Sequence, residues 1–167
     1  KWGIELAYSL EQQPLGTMGP LTIMTDLPEH FLVMNGDVLT DLAFEPFLRR
    51  HVESGALFTI SGAARAQPID FGVLHVSDAA TLTGFEEKPT IAYTVSMGVY
   101  AVSRAVLPWI PHGAAFGFDQ LMQALLAAGR EVVVRVHDGF WMDIGRPGDY
   151  EEVCERWPEL SKRLLPT

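Results

Sequence analysis

FLVMNGD, residues 31–37, is an unbroken apolar run stopped by Asn-Gly-Asp. A short run without alternation predicts a strand buried on both faces, of the kind that helices cover in an α/β sheet. The segments around it carry matching signals. IELAYSL (4–10) alternates as a half-buried strand does, and Leu42 to Glu53 has helical spacing that stops at Ser54-Gly55. ALFTISGAA (56–64) and SMGVYAVS (96–103) read as strands, and residues 72–89 as a hairpin with a Ser-Asp-Ala-Ala tip. Phe118 to Ala128 is a Leu/Ala-rich helix, Glu131 to Val136 another strand, and Pro147 opens a last helix running through Val153. Strands alternating with helices, interrupted by one hairpin, predict a three-layer α/β plan with a mostly parallel sheet and some antiparallel additions. No repeat or linker divides residues 1–167, so one domain is expected.

Composition narrows the function classes. With 48% hydrophobic and 20% charged residues, the chain of 167 is long enough to bury a core and reads as globular. The formal net charge of −9, from 21 acidic and 12 basic residues, argues against a nucleic-acid surface. It leaves room for a small phosphorylated ligand, because one lysine and one divalent ion reverse the local potential. No apolar run reaches the ~20 residues that span a bilayer. No secretory signal is visible, and the single Cys154 suits a reducing, cytoplasmic setting. Cys154 reads as a small buried residue on an amphipathic helix, and Trp2, Trp109 and Trp157 as core or interface groups. Scattered histidines give no zinc spacing, and no Gly-x-Ser-x-Gly elbow marks a serine hydrolase.

Three stretches are left to carry chemistry. Asp37, after Gly36, and Asp143, in FWMDIG, each end an apolar run where ligands of open α/β sheets collect. Either alone is ordinary turn chemistry. Brought together they would hold Mg²⁺, which takes one or two carboxylates, waters and substrate phosphates. GFEEKP (84–89) sets Glu87 and Lys88 side by side, a carboxylate for hydroxyls and an ammonium for a phosphate, or else a solvated hairpin end. PLGTMG (14–19) has two glycines ahead of an apolar helical stretch, a weak signal for backbone N–H groups facing a ligand.

In this order the stretches resemble the sugar-nucleotide pyrophosphorylases, nucleotidyltransferases that make NDP-sugars. The resembling residues are Glu11 with Pro14 to Gly19, Phe31 to Asp37, Phe71-Gly72-Val73, Glu86 to Pro89, Ser96 to Tyr100, and Phe140 to Pro147. The wording is most similar to the mannose-1-phosphate guanylyltransferase-like branch. The resemblance implies a Rossmann-like, glycosyltransferase-A-like domain with a mixed sheet. It also implies Mg²⁺-dependent transfer of a nucleotidyl group from an NTP to a sugar 1-phosphate, releasing pyrophosphate. Carried over by position, Asp37 and Asp143 hold Mg²⁺, Glu87 meets sugar hydroxyls and Lys88 the sugar phosphate. Gly72 and Gly98 admit backbone groups to the sugar, while Gly16 and Thr17 lie near the nucleobase and ribose. Ser96 departs from the family's usual asparagine, which weakens that sugar contact.

The family's opening G-G-x-G-T-R loop and P-K-P lysine have no counterpart here. The expectation is a domain without its first βαβ portion, inactive alone and self-associating through the surface left uncovered. A non-catalytic sugar-phosphate-binding module of the same fold is the alternative. A metal-dependent glycosyltransferase is disfavoured, because Asp37-Val38-Leu39 fails the Asp-x-Asp spacing.

Overall fold

The computed structural model describes residues 3–165. Its strands are β1 (His30–Met34), β2 (Val38–Thr40), β3 (Phe58–Pro68), β4 (Val73–Val76), β5 (Leu82–Glu86), β6 (Thr90–Ser103), β7 (Val132–Val136) and β8 (Trp141–Asp143). Its helices are α1 (Phe44–Ser54), α2 (Phe118–Ala127) and α3 (Pro147–Leu164), with 3-10 turns at Gly19–Thr22 and Arg104–Trp109. The main sheet has the order β1-β6-β3-β7. β3 and β7 are parallel, and β6 runs antiparallel to both β1 and β3. Strands β1, β3 and β7 therefore point one way, with β6 reversed between two of them. β2–β8 and β4–β5 form separate antiparallel ribbons.

The period of two along β6 explains the layers. Tyr100 and Val102 face a core with Phe31, Phe58, Leu121 and Leu125, whereas Val99 and Ala101 face a second with Val38 and Phe47. α2 covers the first core and α1 the second. β1 behaves as its apolar run predicts, with Val33 packing on the first core and Leu32 on the second.

A polar network centred on His51 lies in this interior. His51, 1% exposed, bonds Thr59 Oγ1 (2.8 Å) and Ser103 Oγ (3.0 Å), while the Ser103 hydroxyl donates to the Ala56 carbonyl (3.0 Å). Burial, aided by the neighbouring His30, pushes the His51 pKa down to about 4.

Several sequence expectations are corrected. Residues 4–10 pair with no strand among the described residues, and Ile4, Leu6, Tyr8 and Leu10 stand 67% to 91% exposed. Alternation marks a face, but a strand also needs a neighbour to bond. The buried run ends as a strand at Met34, residues 35–37 forming the turn into β2. The apolar stretch after PLGTMG is one 3-10 turn, and the last helix continues well beyond Val153. Cys154 is exposed, because α3 buries Val153 and Leu160, seven residues apart on one stripe. Trp109 packs against the first core, Trp157 is 40% exposed, and Trp2 lies outside the described residues.

Candidate functional site

Two short strands bring the aspartates together. β2 leaves the turn after β1, β8 precedes α3, and their register sets Val38 opposite Asp143 and Thr40 opposite Trp141. Asp37 extends β2 by one residue, and its carbonyl accepts the Ile144 N–H (2.9 Å). The two side chains converge over Gly145. A Cβ built there would lie 3.0 Å from Asp143 Oδ1 and 3.2 Å from Asp37 Oδ2. Gly145 is thus a cradle that a larger residue would fill, floored by backbone and walled by two carboxylates. Among the described residues the Asp37 side chain accepts no hydrogen bond, and Asp143 accepts only the Gly145 N–H (2.9 Å). Most carboxylate lone pairs therefore face outward, free for a hard cation, so the donor set fits Mg²⁺. No third His, Cys, Asp or Glu joins them among the described residues, which leaves the remaining ligands to water and phosphate.

A bulge in β6 completes this cluster. Ile60 pairs with Tyr100 and Gly62 with Ser96, so β6 spends residues 97–99 opposite Ser61 alone. Gly98 is pushed out at φ +75° and its carbonyl accepts the Asn35 N–H (2.9 Å). A Cβ on Gly98 would sit 2.8 Å from Asn35 Nδ2, so only glycine lets the bulge lie against the turn that carries Asp37. The Trp141 indole N–H donates to the Met97 carbonyl (2.8 Å), tying β8 to the same bulge, and the Arg65 guanidinium lies 4.8 Å from the Trp141 ring. Gly36, by contrast, has open space around it.

The other expected residues form two further groups. Gly72 stands at the base of the β4–β5 hairpin, where a Cβ would collide with the Phe85 ring (2.6 Å) and meet Glu87 Oε2 at 3.3 Å. Lys88 follows at φ 45°, a left-handed conformation uncommon outside glycine. Among the described residues no hydrogen bond or ion pair joins Glu87 or Lys88 to the aspartates.

Gly16 and Thr17 lie at the start of α2. Gly16 has φ +74° with room only for hydrogen beside the Phe116 carbonyl. The Met18 and Gly19 N–H groups both donate to that carbonyl (3.0 and 3.1 Å), and the Thr17 hydroxyl accepts the Phe118 N–H (2.8 Å). Those two N–H groups are thus engaged internally, and Thr17 serves as an out-of-sequence cap for α2.

Tyr100, which the motifs had not singled out, joins the first and third groups. Its ring stacks on Phe118 (4.8 Å between centroids), and its oxygen accepts from Ser96, whose own oxygen accepts the Gly98 N–H (3.3 Å). Burial raises the Tyr100 pKa against the opposing Ser96 bond, so the phenol stays protonated. The shorter Ser96 still reaches the bulge, and does so through its hydroxyl.

Comparison with known proteins is consistent along the chain. The family described as Nucleotidyl transferase matches residues 1–159. The mannose-1-phosphate guanylyltransferase catalytic subunit beta of Drosophila pseudoobscura pseudoobscura is 33% identical over 156 residues, covering 90% of this chain and 42% of its own length. The beta-A mannose-1-phosphate guanyltransferase of Xenopus laevis is 33% identical over 155 residues, covering 89% and 43%. The chain therefore spans less than half the length of these relatives. Among solved structures, HddC from Yersinia pseudotuberculosis matches with a TM-score of 0.59 at 25% identity, over 88% of this chain and 64% of that one. The same protein complexed with GMP-PN matches with a TM-score of 0.55 at 24% identity and shares the fold.

Proposed function

The chain belongs to the nucleotidyl transferase family, and from that membership we propose that it supplies the metal-binding and sugar-binding walls of a sugar-1-phosphate nucleotidyltransferase. The observation that carries this reading is the convergence of Asp37 and Asp143 over Gly145. Turn residues with no ligand to meet gain nothing from setting two anionic oxygens around one open point.

In the proposed reaction a phosphate oxygen of the sugar 1-phosphate attacks the α-phosphorus of the NTP. The bond to the β-phosphate oxygen breaks and pyrophosphate leaves with that electron pair. The nucleophile is already anionic, so no protein base has to take a proton, and catalysis rests on positioning and charge neutralisation. Asp37 and Asp143 hold Mg²⁺, which when bound neutralises phosphate charge. Glu87 accepts hydrogen bonds from sugar hydroxyls, and Lys88, presented by its left-handed backbone, meets the sugar phosphate. Gly72 and Gly98 keep backbone close to the sugar beside Ser96. Gly16 and Thr17 border the nucleobase and ribose, and Gly36 leaves the approach to Asp37 open. GTP and mannose 1-phosphate are the first substrates to test, given the names of the relatives.

The 167 residues contain no G-G-x-G-T-R segment. We therefore expect this chain alone to bind sugar phosphate and metal but turn over slowly. Its surface also offers a self-association face. β1 is bonded on one side only among the described residues, and an apolar groove beside it is lined by Leu32, Phe44, Leu48 and Val52.

Titration of the chain with mannose 1-phosphate and Mg²⁺, followed by NMR, tests the sugar site. Shifts at Glu87, Lys88 and Gly145 are expected, with Lys88→Ala weakening binding about tenfold, the worth of one charge-assisted hydrogen bond. Saturation with no shift at those residues would sink the reading. Light scattering should find dimers or larger species, and a strict monomer at high concentration would remove the self-association.

A further inference from the structure

Four residues beyond Asp37, at the other end of β2, the Asp41 carboxylate gathers donors from three places. It accepts the His137 ring Nε2–H (2.8 Å), the Phe140 backbone N–H (2.7 Å) and the Arg163 guanidinium (2.6 Å). The side chain is 20% exposed. Burial would raise its pKa, but the bonds from His137, Arg163 and Phe140 outweigh that and hold the carboxyl below its usual range. The backbone adds to the knot, since the Asp41 N–H donates to the Phe140 carbonyl (3.2 Å) and the Thr40 hydroxyl donates to the same oxygen (2.9 Å). A Cβ on Gly139 would collide with the Asp41 carboxylate, so the loop between β7 and β8 approaches it as closely as glycine allows.

The ribbon so closed is only three pairs long. A two-stranded ribbon of that length does not hold its own register. A slip of one residue would turn Asp143 to the opposite face, away from Asp37. Asp37 with Ile144 closes one end and Asp41 with Phe140 the other. We infer that Asp41 is the positioning residue of this site, fixing the register of β8 so that Asp143 meets Asp37 over Gly145. This rests on reading the aspartate pair as the metal ligands. Arg163 anchors the end of α3 to the same carboxylate and lies 5.5 Å over the Phe140 ring, but the register is set by the direct Phe140 N–H bond to Asp41 at the end of the ribbon.

The test uses the full chain, with Mn²⁺ as the probe and amide hydrogen exchange as a second readout. Asp41→Ala, or Asp41→Asn if the alanine variant does not fold, is expected to bind Mn²⁺ at least tenfold more weakly, as losses behind a ligand shell do. It should also speed exchange of the protected amides in β2 and β8, leaving β3 and β6 unchanged. Arg163→Leu should free α3 while keeping Mn²⁺ affinity within about twofold, well below the cost of losing an outer-shell partner. Wild-type Mn²⁺ affinity and unchanged β2–β8 exchange in the Asp41 variant would overturn the inference. So would an equal loss of Mn²⁺ binding in Arg163→Leu, which would make Asp41 a helix anchor only. If the wild type itself binds no Mn²⁺, the aspartate-pair reading fails, and the exchange comparison alone decides whether Asp41 sets the register.

Discussion

Two glycine-bearing turns invite the same reading in sequence and differ in what the fold does with their polar groups. In PLGTMG the Met18 and Gly19 N–H groups and the Thr17 hydroxyl are bonded inward to the Phe116–Phe118 segment. At the paired NGD and MDIG turns the carboxylates of Asp37 and Asp143 stay largely unbonded and face each other across Gly145. The His51 network goes further in the first direction, with both ring nitrogens bonded in the core. Satisfied polar groups stabilise the fold, and unsatisfied ones gathered around one point call for a ligand. A motif names the residue types; their hydrogen-bond partners separate the two uses.

The largest effect expected from that difference is at the open pair. Asp143→Asn should weaken Mn²⁺ binding by about 100-fold or more, since it removes one of two protein ligands, with stability within about 0.5 kcal/mol of wild type. Calorimetric titration beside thermal unfolding measures both, and a large loss of stability would place Asp143 among the closed groups. Acid should act on the closed network instead. The folded pKa of His51, about 4, lies below its ordinary 6.5, so the unfolded chain takes up the proton first. Stability is full above pH 6.5 and should fall by about 3 kcal/mol as the pH drops to 4. Urea unfolding across that window checks this, and His51→Gln should flatten the dependence.

Gly16→Ala forces a side chain into a left-handed position against the Phe116 carbonyl and should cost about 2 kcal/mol without altering Mn²⁺ affinity. Thr17→Val removes only the acceptor for the Phe118 N–H, for about 1 kcal/mol. If either variant instead spares stability and weakens Mn²⁺ binding, PLGTMG belongs with the open turns.

Much of the architecture was legible because unbroken apolar runs and periodic segments report their own burial. The FLVM run, the helix over residues 44–54, the 72–89 hairpin and the Leu/Ala helix of α2 each carry enough residues for a pattern. β2 and β8 have three residues each, too few for any period, so the pairing that joins Asp37 to Asp143 had no sequence signal of its own. The order of motifs pointed to both aspartates as site candidates but not to Asp41, whose role depends on donors about 100 residues away. Residues 4–10 show the reverse failure, a clear alternation with no neighbour to pair it among the described residues. Tyr100 closes the Ser96 to Tyr100 stretch with no role of its own in the sequence, because only the β6 bulge sets it between Ser96 and Phe118.

The most direct measurement is a map of where Mn²⁺ binds the wild-type chain, read from paramagnetic broadening of assigned amide resonances. Broadening centred on Asp37, Ile144 and Gly145, lost in the Asp37→Asn, Asp143→Asn double variant, is the predicted result. Broadening centred on other carboxylates, or none at any Mn²⁺ concentration that leaves the fold intact, would contradict the claim that these two turns form one metal site.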